Sequence, residues 1–295
     1  MISLLVDYLY AIAHTIKSFI GLLKICFFSL FFNVKIYKLE HNEFKNNFYI
    51  LGSGESIKSL ENTQIKNDLA NSTSIGINFW LYHDYVPDLY FFEINGSDTY
   101  SWELFCKIID LKKDEYKNTI FIIRDIEKLT FKEVSIIRLF PHELRSNLRF
   151  SLDFDLGKGT SRRFIFTAWI VKNIFNFKNV LPKSRGSLSS AFSIGLQSTS
   201  KNIILVGCDL SGSNYHLARD YVSSKYKNLP QIKTIRQNKK TIHKTNDKEF
   251  GLPLISDVIL YFSQYSNKKI IFNINNNGFF SKHYKIWDDE SFNRK

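Results

Sequence analysis

Cysteine is scarce in this chain, and the few that occur form no pattern. Cys26, Cys106 and Cys208 stand far apart with no CxxC pair, which speaks against a disulfide framework or a thiolate zinc site and fits a reducing compartment. Acidic residues are also under-represented: 28 Asp and Glu face 40 Lys and Arg, a formal net charge of +12. That imbalance predicts an anionic partner: nucleic acid, lipid headgroups or a phosphorylated substrate. No RNP, KH or helix-turn-helix pattern is present, so a nucleic-acid binder is disfavoured. Internal repeats are absent. What is present is apolar bulk. Hydrophobic residues make up 44% of the 295 positions and aromatics 16%, enough for one large domain or two small ones and too much for wholesale disorder.

The first 32 residues are strongly apolar but interrupted. Ser3, Asp7, His14, Lys17, Gly21 and Lys24 fall within about a third of the circumference at about 100° per residue. Leu4, Leu5, Tyr8, Leu9, Ile12, Ile16, Phe19, Ile20, Leu23, Phe27 and Phe28 occupy the rest. A membrane-spanning helix needs about 20 apolar residues with few charges, and the recurring polar positions count against it. A cleaved signal would show a basic start and a small-residue cleavage site; Asp7 is the first charge and no such site follows. There remain an in-plane membrane helix, a helix docked on a partner, and a core helix of the domain. The run Cys26–Phe32 (CFFSLFF) would be awkward on a soluble surface, so the expectation is a membrane-associated amphipathic helix over 1–33.

Residues 34–47 are Asn- and Lys-rich and read as a linker. From 48 to 295 short apolar runs alternate with helical stretches. Strands are expected at 48–51, 74–78, 88–92, 119–123, 202–206 and 269–274, with helices over 186–197 and 253–265. This order predicts an α/β fold: a Rossmann-like, mostly parallel sheet with helices on both faces. The basic, aperiodic stretch from about 210 to 248 is too long for a connector and reads as a lid.

Several strand ends carry candidate chemistry. Gly52, Ser53, Gly54 and Ser56 form a Gly-x-Gly-x-Ser turn between a strand and a helix. It is either a phosphate site or a plain turn capped by Ser56. Asn78 and Asp209 each end a strand, where ligands of open α/β sheets sit; each is equally a turn residue. His243 lies in a His-Lys-Thr-Asn-Asp run and has the pKa range of a general base, or is an exposed loop histidine. Asp153 and Asp155 form an Asp-x-Asp pair, and two such carboxylates can hold a divalent cation against phosphates, although so short a pattern often arises by chance.

Taken in order, these motifs resemble the bacterial sialyltransferases of glycosyltransferase family 42, the Campylobacter lipooligosaccharide type, and related proteins of polysaccharide clusters. The resemblance covers roughly residues 48–280. It implies nucleotide contacts at Gly52, Gly54, Ser56 and Asn78, with Asp209 matching a later strand-end aspartate. Gly186 and Ser187 fall at the family's Ser-Gly pair, and the reversed order here makes Arg185 a further candidate for the donor carboxylate or phosphate. Tyr215 matches one of two tyrosines that steady the departing phosphate; the other is replaced by Leu210-Ser211. His243 matches the general base. Where the family has an asparagine after its third strand, either Glu93 or Asn95 would serve.

The implied activity is transfer of a sialic acid-like nonulosonic acid from a CMP-activated donor to a glycan or glycolipid acceptor. It would need no cofactor and no metal, with amides near Gly54 bonding the phosphate and the basic segment closing as a lid. The implied location is the cytoplasmic face of the inner membrane. Self-association is left open. The rival expectations are a Kdo or other sugar transferase, and a pterin pyrophosphokinase-like enzyme that shares the Gly-x-Gly-x-Ser turn and the Gly-x-Asp strand end.

Overall fold

The computed structural model describes residues 2–39, 44–94, 99–157, 161–175, 181–184, 186–210, 244–264, 270–273 and 279–286. The chain begins with helix α1 (Ile2–Phe32), and then β1 (Lys35–Ile36) and β2 (Asn47–Leu51) enter the sheet. Helix α2 (Thr63–Ala70), β3 (Thr73–Ile77), β4 (Leu89–Glu93), α3 (Thr99–Leu111) and β5 (Ile120–Arg124) follow. After a short helix α4 (Phe131–Val134) come β6 (Leu148–Phe150), β7 (Asp153–Asp155), α5 (Ser161–Phe175) and β8 (Leu181–Lys183). Helix α6 (Ser187–Gln197), β9 (Asn202–Val206), α7 (Ile255–Ser263), β10 (Ile270–Asn273) and β11 (Lys285–Ile286) complete the order.

Nine of these strands form one sheet in the order β1-β6-β5-β4-β3-β2-β9-β10-β11, and every described pairing is parallel. Strands β7 and β8 form a separate parallel pair. The all-buried patterns of β2 and β3 explain their near-continuous apolar sequence, because a parallel sheet is covered on both faces. On one face Tyr49 donates to Asp68 of α2 at 2.7 Å, and Tyr90 and Phe92 meet Phe105 of α3. On the other, Phe48 and Ile203 lie against Gly195 of α6, and α6 packs on α7. The α/β fold with helices on both faces is therefore as expected.

Two expectations change. The stretch read as a linker contributes β1, whose Lys35 and Ile36 pair with Arg149 and Phe150 of β6. The N-terminal helix is no separate appendage either: it packs on α5, β7 and β1.

Its orientation is the larger surprise. The side that meets the protein carries Asp7, Ala11, Ser18, Leu22, Ile25 and Phe28, all buried. Asp7 Oδ1 is 2.7 Å from Arg163 Nε of α5, Ser18 Oγ donates to the Asp155 carbonyl at 3.0 Å, and Lys24 Nζ donates to the Glu127 carbonyl at 2.9 Å. Most of the polar stripe is thus turned inward, while Lys17 stays exposed. The apolar stripe points outward: Leu9, Ile16, Ile20, Leu23 and Phe27 are each more than half exposed, and Leu30 reaches 84%. Phe28, assigned to that stripe by its spacing, is buried instead, edge-on to Phe32 and tilted against Phe131.

Candidate functional site at the reversal of strand order

From β2 the chain builds the sheet in one direction through β3, β4 and β5, and from β9 in the other through β10 and β11. The crevice at such a reversal, beyond the carboxyl ends of the strands, is where open α/β sheets bind ligands. Because the strands are parallel and in register, Gly52, Asn78, Glu93 and Gly207 all follow or end neighbouring strands on one edge of the sheet.

At the centre two glycine turns close on each other. Gly52 N donates to the Val206 carbonyl at 2.7 Å and Gly54 N to the Gly207 carbonyl at 2.8 Å. Ser56 Oγ accepts from Gly207 N at 2.8 Å, and Asp209 Oδ2 accepts from Ser56 N at 2.9 Å. A Cβ on Gly52 would stand 2.3 Å from the Gly207 carbonyl oxygen, and one on Gly207 would stand 2.5 Å from that of Gly52. Gly207 also has φ +65°, a region that glycine alone enters freely. The glycines are therefore required by the approach of two backbones.

The amides of Gly52, Gly54 and Ser56 are all engaged inside the clasp. The buried Asp209 carboxylate holds the place an anion would take at Ser56. Ser53 is buried within the turn.

Asn78 follows β3 in the left-handed region, φ 55°, and its carbonyl accepts a 2.5 Å hydrogen bond from Tyr90. That conformation is tolerated by asparagine better than by most residues, and Asn78 is half-buried. Glu93, at the end of β4, lies 3.9 Å from Arg124 of β5; burial pushes its carboxyl upward against the pull of that guanidinium. Gly186 precedes α6 with φ +111°. Ser187, the first residue of that helix, is buried, and its hydroxyl has no partner among the described residues. Ser190, one turn on, is in the same state. Arg185, Asn95, Tyr215 and His243 lie outside the described residues, as does most of the expected lid.

The Asp-x-Asp pair belongs elsewhere. Asp153 is buried and accepts from Asp125 N at 3.1 Å. Asp125, Glu127 and Asp153 bring carboxylate oxygens within 4.8 Å of one another, a grouping that could hold a metal ion. The Lys183 ammonium already bonds Asp125 and Glu127 in that space, so these oxygens serve a lysine of the chain itself. Burial alone would lower Lys183, but Asp153, Asp125 and Glu127 outweigh it and raise its pKa. Burial likewise raises Asp153 to about 6, against the pull of Lys183 and Arg124. Asp155 turns to α1: its Oδ1 is 3.8 Å from His14 Nε2 and accepts from Gly157 N at 2.9 Å.

Sequence reasoning singled out Asp153 but missed its partners Arg124, Asp125, Glu127 and Lys183. The signal was the string Ile120–Lys128 (IFIIRDIEK), in which charges follow a fully apolar strand with no turn glycine between.

No protein-family model matches this chain, and no curated protein matches it. Solved structures resemble it, two glycosyltransferases among them. One is the sialyltransferase CstII from Campylobacter jejuni, in complex with the substrate analogue CMP-3FNeuAc: 13% identity, TM-score 0.40, covering 83% of this chain and 86% of that one. The other is the MAf glycosyltransferase from Magnetospirillum magneticum AMB-1: 15% identity, TM-score 0.46, covering 88% of this chain and 36% of that one. The chain thus spans about a third of the second protein's length. These likenesses concern the course of the backbone, and no residue role is taken from them.

Proposed function

We propose that this protein is a membrane-surface glycosyltransferase that uses a CMP-activated nonulosonic acid. The observation that carries the reading is the set of strand ends along one edge of the sheet, with Asp209 and the Gly52 turn at its centre. Asn78 and Glu93 extend that edge, and the motifs follow the same order in the chain. The unpartnered Ser187 hydroxyl offers a polar contact to a bound ligand, since a buried hydroxyl left without a partner is costly.

In this reading His243 takes the acceptor hydroxyl proton as that oxygen attacks the anomeric carbon. Tyr215 and Arg185 bond the CMP phosphate and the donor carboxylate as charge builds on the leaving group. The basic segment closes over the donor and excludes water. Transfer runs without a metal or other cofactor, which agrees with a Lys183 ammonium seated among the carboxylates otherwise best suited to a cation.

The acceptor is a glycan or glycolipid displayed at a membrane, and α1 supplies the attachment. Leu4–Phe32 is long and apolar enough to cross a bilayer. Crossing would break the contacts of Asp7, Ser18 and Lys24 with the domain and leave Arg163 and Asp155 without them. An in-plane helix keeps every one of these contacts and places its outward stripe in lipid. Ile165 and Trp169 of α5, and Phe131, which meets Phe31 at 4.5 Å, add to the exposed apolar set. Exposed Lys17, Lys132 and Arg162 supply positive charge in the same elements, while Asp7, the one carboxylate of α1, is buried.

Titration calorimetry with CMP and UDP tests the donor class. Saturable binding of CMP with at least tenfold preference over UDP is expected, and equal or reversed affinity would sink the assignment. Replacing Leu9, Ile16, Ile20 and Leu23 together by serine tests the attachment. The variant is expected to stay folded and to leave the membrane fraction; retention there would refute the in-plane helix.

A further inference from the structure

At the pole of the sheet opposite the glycine clasp lies a cavity of about 530 Å³. Its walls include Leu89 and Ile120, the first residues of β4 and β5, together with Ser29 from the last turn of α1. Lys35, Lys38 and Arg149 also line it, and none of its described lining residues is acidic. Arg149 is held in place, with its guanidinium donating to the carbonyls of Ser146 and Leu148. Lys35 and Lys38 are exposed at the mouth. The cavity thus joins one hydrogen-bonded guanidinium and two exposed ammonium groups to an apolar floor.

Its position gives this chemistry a direction. Ser29 stands between Phe27 and Leu30, and both of those side chains point outward on the stripe assigned above to lipid. The cavity therefore borders the carboxyl-terminal end of that helix. We propose that the cavity receives the phosphate headgroup of an anionic membrane lipid, with Lys35 and Lys38 neutralising the phosphate and the apolar floor meeting the glycerol and first methylenes. This rests on the in-plane reading of α1. The site fixes orientation: it pins the carboxyl-terminal end of α1 to the bilayer, away from the edge of the sheet where the transfer chemistry is placed.

The test uses the full chain and a short-chain phosphatidylglycerol below its micelle concentration, followed by calorimetry. One-to-one binding is expected. Lys35→Glu/Lys38→Glu is expected to weaken it by about 30-fold or more, since each cation near an anionic lipid surface is worth about 1 kcal/mol and both are reversed. Both lysines are exposed, so an unchanged melting temperature confirms the variant's fold. Lys17→Glu/Lys132→Glu, reversed outside the cavity, is expected to leave this binding unchanged. Three results would overturn the proposal: no saturable binding, equal losses in the two double variants, or inorganic phosphate binding as tightly as the lipid. Sedimentation with neutral phosphatidylcholine vesicles separates this failure from that of the membrane reading. A wild-type protein that ignores the vesicles but binds the short-chain lipid loses the in-plane helix alone. One that binds vesicles but not the short-chain lipid loses the cavity alone.

Discussion

The carboxyl ends of the parallel strands are finished in two different ways. Beyond β2 and β9 the closure is made of backbone: glycine turns, one serine and a single carboxylate, at Asp209. Beyond β5, and between β7 and β8, it is made of ions: Arg124, Asp125, Glu127, Asp153 and Lys183, nearly all buried. The first arrangement lets two backbones meet, because a Cβ at Gly52 or Gly207 would collide with the other turn. The second fills its own centre, because Lys183 occupies the space between the carboxylates.

The comparison is broken most severely by removing the ammonium. Lys183→Met is expected to cost about 3–5 kcal/mol, because breaking a buried pair leaves uncompensated charge; a midpoint unchanged in urea would mean that the cluster is not structural. Gly52→Ala comes next, at about 3 kcal/mol. Its Cβ would meet the Gly207 carbonyl 2.3 Å away, and neither backbone can yield without opening β2 from β9. Solubility and a chevron or urea curve report it. His243→Ala sharpens the contrast from the other side, with turnover down about 10²-fold and stability untouched; near wild-type rates would remove the base assignment.

The smallest effect concerns pH. Asp153 titrates near 6 in the folded protein, above its unfolded value of about 3.9. Between these values the folded state binds more protons, so this group's contribution to stability falls as pH rises from 4 through 6. Asp155, held down to about 2 with His14 and Lys183 outweighing its burial, acts with the opposite sign, and its contribution is lost below pH 4. In Asp153→Asn the decline in melting temperature from pH 5 to 7.5 is expected to flatten relative to wild type. An identical slope in both proteins would place the titration elsewhere.

The sheet was largely legible because its strands are continuous apolar runs. Asn202–Val206 is found over the residues expected, β2 starts one residue early, and β3 and β4 are each shifted by one residue. Strand β1 was hidden by its two-residue length and by the polar residues that follow it. The ion cluster was illegible for a different reason. Lys183 meets Asp125 across 58 residues and Glu127 across 56, and no local period encodes such a meeting. The stripe on α1 was read correctly as a stripe. Which side faces the protein depends on Arg163 and Asp155, so the helix alone could not reveal it. Gly52, Asn78 and Asp209 stand after strands as their sequence context suggested, while the Ser187 hydroxyl without a described partner becomes visible only once α6 is buried.

The inward contacts of α1 also set an order of events during synthesis. Asp7 waits 156 residues for Arg163, roughly 8 to 30 s at ordinary elongation rates of about 5–20 residues per second. Lys24 waits 103 residues for Glu127 and Ser18 waits 137 for Asp155, so for much of that interval the inward face has none of these partners. A bilayer that takes up the outward side during this time shields it from aggregation and leaves Asp7, Ser18 and Lys24 facing the aqueous side where the domain is still to fold. The lipid surface would then act as a template on which α5 and β7 assemble, and the earliest part of the chain would find its place before the last part is made.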